Sequence, residues 1–306
     1  MVTDPYNYCG AELLSGVAEC HAGVAGKGGV VLSVPHAGRA YSPEILARLR
    51  LSEHELRVME DRYADLLVAP LIAAGYPALV AQVPRAIIDL NRDERDIDQR
   101  LVKHIPYGQP LMQSAKQRGG LGVFPRRLPG VGDLWRGPIE WSEALARIEQ
   151  VHRPYHQMLA TMLDAAQAEY GVALLLDVHT MPPVSLALAE GRELDMVIGD
   201  RFGVSADGRL ATLAMTVAEA HGLYATLNHP YAGSYLLDRH GKPARGRHAL
   251  QIEISRALYL DEAFDQPSAG VERVQAVLLA LVKAMTDELG RPGWGRGSES
   301  WAKAAE

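Results

Sequence analysis

The chain has 306 residues, of which 48% are hydrophobic, and its 31 basic and 37 acidic residues give a net charge of -6. This composition allows a large buried core and offers no basic surface for nucleic acid or an anionic membrane. The two cysteines, Cys9 and Cys20, lie outside any CxxC spacing, which argues against a thiolate metal site or a disulfide scaffold. The N-terminus lacks a signal-peptide pattern, and no apolar run reaches the roughly 18 residues of a membrane span. We therefore expect a cytoplasmic protein that acts on a small solute; the sequence does not indicate its oligomeric state.

The first part of the chain predicts two strands joined by helices. Residues 28–34 form a short apolar run typical of a buried strand, and His36 follows shortly after it. Residues 43–74 carry apolar residues at helical spacing with one break, which predicts two helices. Residues 77–83 predict a second buried strand, and residues 86–90 its extended continuation. Together these elements make a βαβ unit.

The rest of the chain alternates in the same way after one irregular segment. Residues 93–137 are rich in charges, glycine and proline and are too long for an ordinary connection, so they predict a loop-rich insertion or lid. The later elements are a helix at 141–170, a strand at 172–176 running into 177–179, strands at 196–198, 224–227 and 249–254, helices at 211–221 and 270–290, and a polar tail from about 291. The alternation predicts one α/β domain over residues 1–306, with a mostly parallel mixed sheet covered by helices on both faces.

A pair of histidines stands at the ends of two predicted buried strands. The carboxyl ends of parallel strands meet at one edge of a sheet, so we expect His36 and His179 to lie close together there. Two imidazoles suggest a metal, and catalytic zinc takes three histidine or carboxylate ligands plus water. We choose Asp61, placed on the helix after His36, as the third ligand, with Glu60 and Asp177 as alternatives. Zinc is the expected ion, and another divalent metal would suit the same donors.

Cationic and polar residues surround an apolar pair in the 86–90 segment. Arg85, Asn91 and Arg92 lie there, and a planar guanidinium is a natural partner of a substrate carboxylate. They predict a small acidic substrate; an ion-pair network with the neighbouring acidic residues is the alternative.

A lone carboxylate interrupts the apolar strand at 249–254. Glu253 faces opposite to Ile252 and Ile254, and a buried carboxylate with a raised pKa would suit a general base. The alternative is a surface ion pair with Arg247 or Arg256. His229, near another strand boundary, has a plausible place at the rim of the same pocket.

Five short motifs, in order over about residues 30–262, resemble N-formylglutamate amidohydrolases, a family related to zinc carboxypeptidases and aspartoacylases. They are Ser33-Val34-Pro35-His36-Ala37-Gly38, Arg85 through Asp89-Leu90-Asn91-Arg92, Asp177-Val178-His179-Thr180, Asn228-His229-Pro230-Tyr231-Ala232-Gly233 and His248 to Ser255. The resemblance implies a phosphorylase/hydrolase-like α/β fold. It also implies zinc-dependent hydrolysis of N-formyl-L-glutamate to formate and L-glutamate, the last step of one histidine-degradation route.

The resemblance also assigns roles to individual residues. The matched positions are the zinc ligands His36 and His179, the substrate-carboxylate pair Asn91 and Arg92, the carbonyl-polarising Arg85 and the catalytic Glu253. Arg247, His229 and Gly233 are further substrate-binding candidates. The related carboxypeptidases use a glutamate three residues after the first histidine as a ligand, but Arg39 stands there in this chain, so the carboxylate must come from elsewhere.

Three other functions remain open from the sequence. Two histidines and one carboxylate also form the site of non-haem iron oxygenases. The enzyme could act on another N-acyl amino acid, since short motifs locate the chemistry better than they define a pocket. A non-catalytic protein that binds an acidic metabolite is the third possibility.

Overall fold

The computed structural model describes residues 16–21, 27–128, 130–185 and 193–294. Within these ranges the strands are β1 (Ala18–His21), β2 (Val30–Val34), β3 (Ala78–Ala81), β4 (Val102–Lys103), β5 (Arg127–Leu128), β6 (Gly132–Asp133), β7 (Ile139–Glu140), β8 (Ala173–Met181), β9 (Met196–Gly199), β10 (Ala225–Leu227) and β11 (Arg247–Ser255). The α-helices are α1 (Pro43–Arg48), α2 (Glu53–Leu56), α3 (Ala64–Ala73), α4 (Ala115–Arg118), α5 (Trp141–Arg147), α6 (Arg153–Tyr170), α7 (Gly208–Ala220), α8 (Tyr235–His240) and α9 (Val271–Leu289).

One mixed sheet organises the chain, with the strand order β1-β3-β2-β8-β11-β9-β10. The four central strands β3, β2, β8 and β11 are parallel, whereas β1 pairs antiparallel with β3 and β9 pairs antiparallel with β11. The edge strand β10 is parallel to β9. The predicted mostly parallel mixed sheet is therefore confirmed. Because β2, β8 and β11 run in the same direction, their carboxyl ends lie at one edge, and the register places Glu253 directly beside His179.

Helices cover both faces of this sheet, as predicted. The alternation of side chains along each strand sends Leu174 and Leu176 of β8 to one face and Leu175 to the other. The first face packs against α3, α7 and α9, and the second against α6 and α8. Among the residues that the structure describes, no helix is long and apolar enough to cross a membrane.

The segment predicted as a loop-rich insertion is folded and shares a hydrophobic cluster with the chain on either side of it. It contains α4 and the short strands β4, β5 and β6. Ile97, Phe124 and Trp135 are buried there against Leu56 and Ile88 from the preceding part of the chain. The segment is thus a small packed lobe beside the sheet edge; its action as a lid stays a prediction.

Three local predictions are wrong. Residues 43–74 form the three helices α1, α2 and α3 instead of two. The other two corrections bear on the site. Residues 86–90 form turns instead of an extended strand, although Ala86, Ile88 and Leu90 are all buried. Their spacing of two imitates a strand because alternate side chains of the turns point into the core. Asp61 does not lie on a helix but in the turn between the 3-10 helix Arg57–Met59 and α3, where its backbone N–H donates to the His36 carbonyl at 3.0 Å.

Candidate active site

A pocket lies at the carboxyl edge of β2, β8 and β11. It brings together eight of the residues chosen from the sequence, namely His36, Asp61, Arg85, Asn91, Arg92, His179, Gly233 and Glu253. His179 lies inside β8, which extends two residues beyond it to Met181, and not past the end of the strand as expected. The sheet edge therefore assembles residues that are more than two hundred positions apart in the chain.

His36, Asp61 and His179 form a buried group that could hold a metal ion, since one ligand atom from each lies within 4.8 Å of the others. An ionised carboxylate can accept hydrogen bonds but cannot donate them. The ring Nε2–H of His36 therefore donates to Asp89, and the ring Nε2–H of His179 donates to Asp177, each at 2.8 Å. These bonds turn the two Nδ1 atoms toward Asp61, whose Oδ2 lies 3.5 Å from the first and 2.9 Å from the second.

The chemistry of these donors fits a divalent cation. Among the residues that the structure describes, the buried Nδ1 of His36 has no hydrogen-bond partner. Burial alone would favour a neutral Asp61, but the hydrogen bond from His179 and the positive charges of His179 and His36 together outweigh it and lower the pKa of this carboxyl. Burial also opposes a charged His179, yet the negative charges of Asp177 and Asp61 on either side raise its pKa well above the usual value. An anionic oxygen, an unpartnered nitrogen and a second imidazole thus converge, each histidine being oriented by a further carboxylate.

The other two candidate carboxylates point elsewhere or are already engaged. Glu60 accepts a hydrogen bond from Arg62 at 2.8 Å. Asp177 accepts from His179 on one oxygen and from Ser33 on the other. Of the three, Asp61 alone belongs to the group with converging ligand atoms.

Arg256 fixes the turn that carries Asp61. Its guanidinium donates to the carbonyls of Val58 and Glu60 and to the hydroxyl of Thr180, and one nitrogen lies 3.5 Å from Asp61 Oδ1. Sequence reasoning treated Arg256 only as a surface partner for Glu253. Its position just past the end of β11, the strand that carries Glu253, was the available signal.

Asp89 connects the metal-ligand group to the cationic side of the pocket. One oxygen accepts from His36 Nε2 and from the backbone N–H of Asn91, and the other accepts from Arg85 Nε at 2.9 Å. Burial favours the neutral acid, but the positive charges of Arg85, His36 and Arg92 together outweigh it and hold the pKa of Asp89 well below its usual range. Sequence reasoning considered Asp89 only as a member of an ion-pair network; its place inside a matched motif was the signal for a larger role.

The predicted carboxylate-binding pair lies on the same turn and is tied to α8. Arg92 donates to the Ser234 hydroxyl at 2.8 Å and to the Leu121 carbonyl at 3.0 Å. The amide oxygen of Asn91 accepts from the Leu236 N–H. Gly233, which lines the pocket before Ser234, has a φ of +92°, and an added Cβ would lie 2.3 Å from a Leu237 methyl carbon. Only glycine fits there without rearrangement.

Glu253 faces this pocket from β11, while its strand neighbours Ile252 and Ile254 are buried in the core. Gln251 donates a hydrogen bond to Glu253 Oε1 at 2.7 Å. Burial raises the pKa of Glu253 to about 7, with Asp61 acting in the same direction and His179 and Arg85 opposing it. A carboxyl that titrates near neutrality can both accept and return a proton.

Two predicted substrate-binding residues are not brought to the pocket. Arg247 begins β11 six residues before Glu253, about 20 Å away at the rise of a strand, and binds Asp164 and Gln167 on α6. His229 is exposed and does not line the pocket, although the Pro230–Gly233 segment that follows it does. The sequence placed both near functional motifs but could not tell which end or side of the strand they occupy. Lys116, from α4 of the inserted lobe, lines the pocket instead, and no motif indicated it.

The pocket at the sheet edge holds the His/Asp/His group, with a glutamate and two arginines beside it. These features define a hydrolase with an α/β fold and a group of side chains that could hold a metal ion. A family model for N-formylglutamate amidohydrolase matches residues 28–260, and the chain belongs to that family. The resemblance inferred from the motifs is thus confirmed.

Named relatives agree with this assignment. The chain is 28% identical over 272 residues to an N-formylglutamate deformylase of Pseudomonas aeruginosa, covering 87% of this chain and 94% of the relative. It is 29% identical over 261 residues to an N-formylglutamate deformylase of Pseudomonas putida, covering 84% and 91%. The crystal structure of N-formylglutamate amidohydrolase from Ralstonia eutropha superposes with a TM-score of 0.81 at 27% identity, covering 90% of this chain and 98% of that one.

Proposed function

We propose that this protein hydrolyses N-formyl-L-glutamate to L-glutamate and formate, using a metal ion held by His36, Asp61 and His179. One observation carries the proposal: the converging ligand atoms open into the same pocket as Glu253 and the two arginines. The names of the two Pseudomonas relatives support this substrate. Action in the cytoplasm, as part of histidine degradation, belongs to the same proposal.

Zinc suits the proposed donor set of two imidazole nitrogens and one carboxylate oxygen. When bound, the ion supplies Lewis acidity, which activates water at neutral pH and polarises an amide carbonyl. Once the proton that His179 Nδ1 donates to Asp61 is released, the Asp89 and Asp177 carboxylates would leave both Nδ1 atoms available to the ion by holding the protons on Nε2.

Glu253 is the proposed general base and acid. Its raised pKa allows the carboxylate to take a proton from the attacking water near pH 7 and to deliver it to the amine of the departing glutamate. Its place beside His179 in the strand register puts it next to the proposed metal ligands.

Arg85 is the proposed donor to the developing oxyanion. Its Nε is committed to Asp89, which orients the guanidinium and leaves the two terminal nitrogens for the substrate. A donor of this kind typically contributes about 3 kcal/mol to the transition state. Arg92, with Asn91, would hold a substrate carboxylate, so a substrate without that charge should bind poorly.

The test is to incubate purified protein with N-formyl-L-glutamate and to measure formate and glutamate release with and without a chelator. We expect equal amounts of both products, and loss of both in the chelated protein and in His36→Asn. His104→Asn is the matched control, because this histidine is exposed and, in the described ranges, pairs only with Glu140. Hydrolysis confined to another N-acyl amino acid would overturn the substrate, and a requirement for iron and oxygen would overturn the reaction type.

A further inference from the structure

Lys116 places a positive charge at the pocket from the inserted lobe. It lies on α4 and lines the pocket together with Arg85, Arg92 and Glu253. Within the described residues its ammonium has no hydrogen bond and no ion pair, unlike the cations around it.

The backbone that carries Lys116 is held firmly in place. The Ser114 hydroxyl accepts the Gln117 N–H at the start of α4 and itself donates to the buried Asp96 at 2.6 Å. After the helix, the Leu121 N–H donates to the Lys116 carbonyl at 2.8 Å. The Leu121 carbonyl in turn accepts from Arg92 Nε. The lobe thus fixes Lys116 relative to the arginine proposed to hold a carboxylate.

The charges on this side of the pocket are incompletely neutralised. Arg85 uses Asp89 as its partner, and the carboxylate nearest to Arg92 is the same Asp89, at 3.9 Å. Burial and the positive charges of Arg92 and Arg85 lower the pKa of Lys116. Arg85 and Arg92 therefore share the Asp89 carboxylate. An anionic group from a ligand would relieve the repulsion between these cations.

We propose that Lys116 is a specificity-determining residue that binds the side-chain carboxylate of an N-acyl acidic amino acid, while Arg92 binds its α-carboxylate. The inference rests on the proposed function and deepens it, because it explains how a dicarboxylate is preferred to an N-acyl derivative of a neutral amino acid. The ammonium lies at the pocket wall and makes no hydrogen bond or ion pair within the part of the chain that the structure describes, so its contribution depends on the charge of the ligand. An isosteric substrate with a neutral amide gains less from it, because the amide oxygen accepts a hydrogen bond but carries no negative charge.

The test compares N-formyl-L-glutamate with N-formyl-L-glutamine, which has the same shape without the side-chain charge. Replacing Lys116→Met should reduce the ratio of kcat/KM between these substrates about tenfold, as expected for one charge-assisted hydrogen bond. The loss should appear mainly in KM for the glutamate substrate. Lys116→Arg should keep part of the preference.

Arg118→Met is the matched control, because this cation lies on the same helix but does not line the pocket, and among the described residues it donates only to the Gln113 carbonyl. It should leave the ratio unchanged. An unchanged ratio in Lys116→Met, or an equal loss for both substrates, would overturn the proposal. If the wild type hydrolyses neither compound, the proposed function fails. Calorimetric binding of both compounds to the wild type and to Lys116→Met then decides the role of Lys116 separately. A loss of affinity confined to the glutamate derivative supports the proposed role of Lys116, and equal affinities of the wild type and the variant refute it.

Discussion

Replacing Asp89→Asn tests whether this carboxylate connects the metal ligands to the arginines. Its two oxygens accept hydrogen bonds from His36 Nε2 at 2.8 Å, from the Asn91 N–H at 2.9 Å and from Arg85 Nε at 2.9 Å. Asparagine offers one acceptor oxygen and an NH₂ donor in the same place. At least one of the three donors must therefore face another donor.

The size of the effect follows from the bond that is lost. If the remaining oxygen stays with His36 and Asn91, Arg85 loses a charge-assisted bond worth about 1.5–3 kcal/mol, and the free energy of unfolding should fall by a similar amount. If the oxygen turns to Arg85, His36 loses the acceptor that keeps its proton on Nε2. Loss of such an orienting partner typically costs about 10- to 100-fold in metal affinity or activity.

The assay measures zinc affinity by competition with a chromophoric chelator, kcat/KM for N-formyl-L-glutamate at saturating zinc, and denaturant unfolding of the metal-free protein. Asp98→Asn is the matched control, because Asp98 is also buried and accepts from Arg126 Nε at 2.8 Å but does not line the pocket. The control should lose stability and keep its zinc affinity and its kcat/KM. An Asp89→Asn protein with wild-type zinc affinity and wild-type kcat/KM would refute the connecting role.

Three further predictions concern the base, the third ligand and pH. Glu253→Gln should lower kcat about 10²- to 10⁴-fold while leaving zinc content unchanged; near-normal turnover with metal bound would refute its role. Asp61→Asn should lower zinc affinity far more than Glu60→Gln, measured by equilibrium dialysis, and the reverse order would exchange the two assignments. Burial lowers the pKa of His240 to about 3 and that of its neighbour His156 well below 6.5, so the stability these histidines contribute is complete above about pH 6.5 and falls as the pH falls. Each histidine changes the free energy of unfolding by up to about 1.4 kcal/mol per pH unit. Denaturant unfolding of metal-free protein between pH 6.5 and 5 should therefore show a shallower pH dependence in His240→Asn than in the wild type. Equal slopes would contradict the assignment.

The strand-and-helix pattern predicted the sheet and much of the site. Alternation of buried strands with helical segments placed His36 and His179 at one sheet edge, because parallel strands must share an edge. Glu253 stood out as a carboxylate in an apolar strand. These inferences needed only periodicity, which local sequence contains.

The remaining features depend on contacts that periodicity does not encode. Asp61 was chosen as a helical residue, but it lies in a turn that is held by the His36 carbonyl and by Arg256. Arg247 lies on the correct strand at the wrong end, a distinction that motif proximity does not make. Lys116 comes from a lobe without any regular pattern, so only the fold shows that it reaches the pocket.

The most direct test of the central claim is a zinc titration of metal-free protein, following formate release from N-formyl-L-glutamate. We predict that activity is absent without metal, rises linearly and reaches its plateau at one zinc per chain, and that Asp61→Asn shifts the curve to higher zinc. Full activity without metal, or no formate release at one equivalent of zinc, would contradict the account.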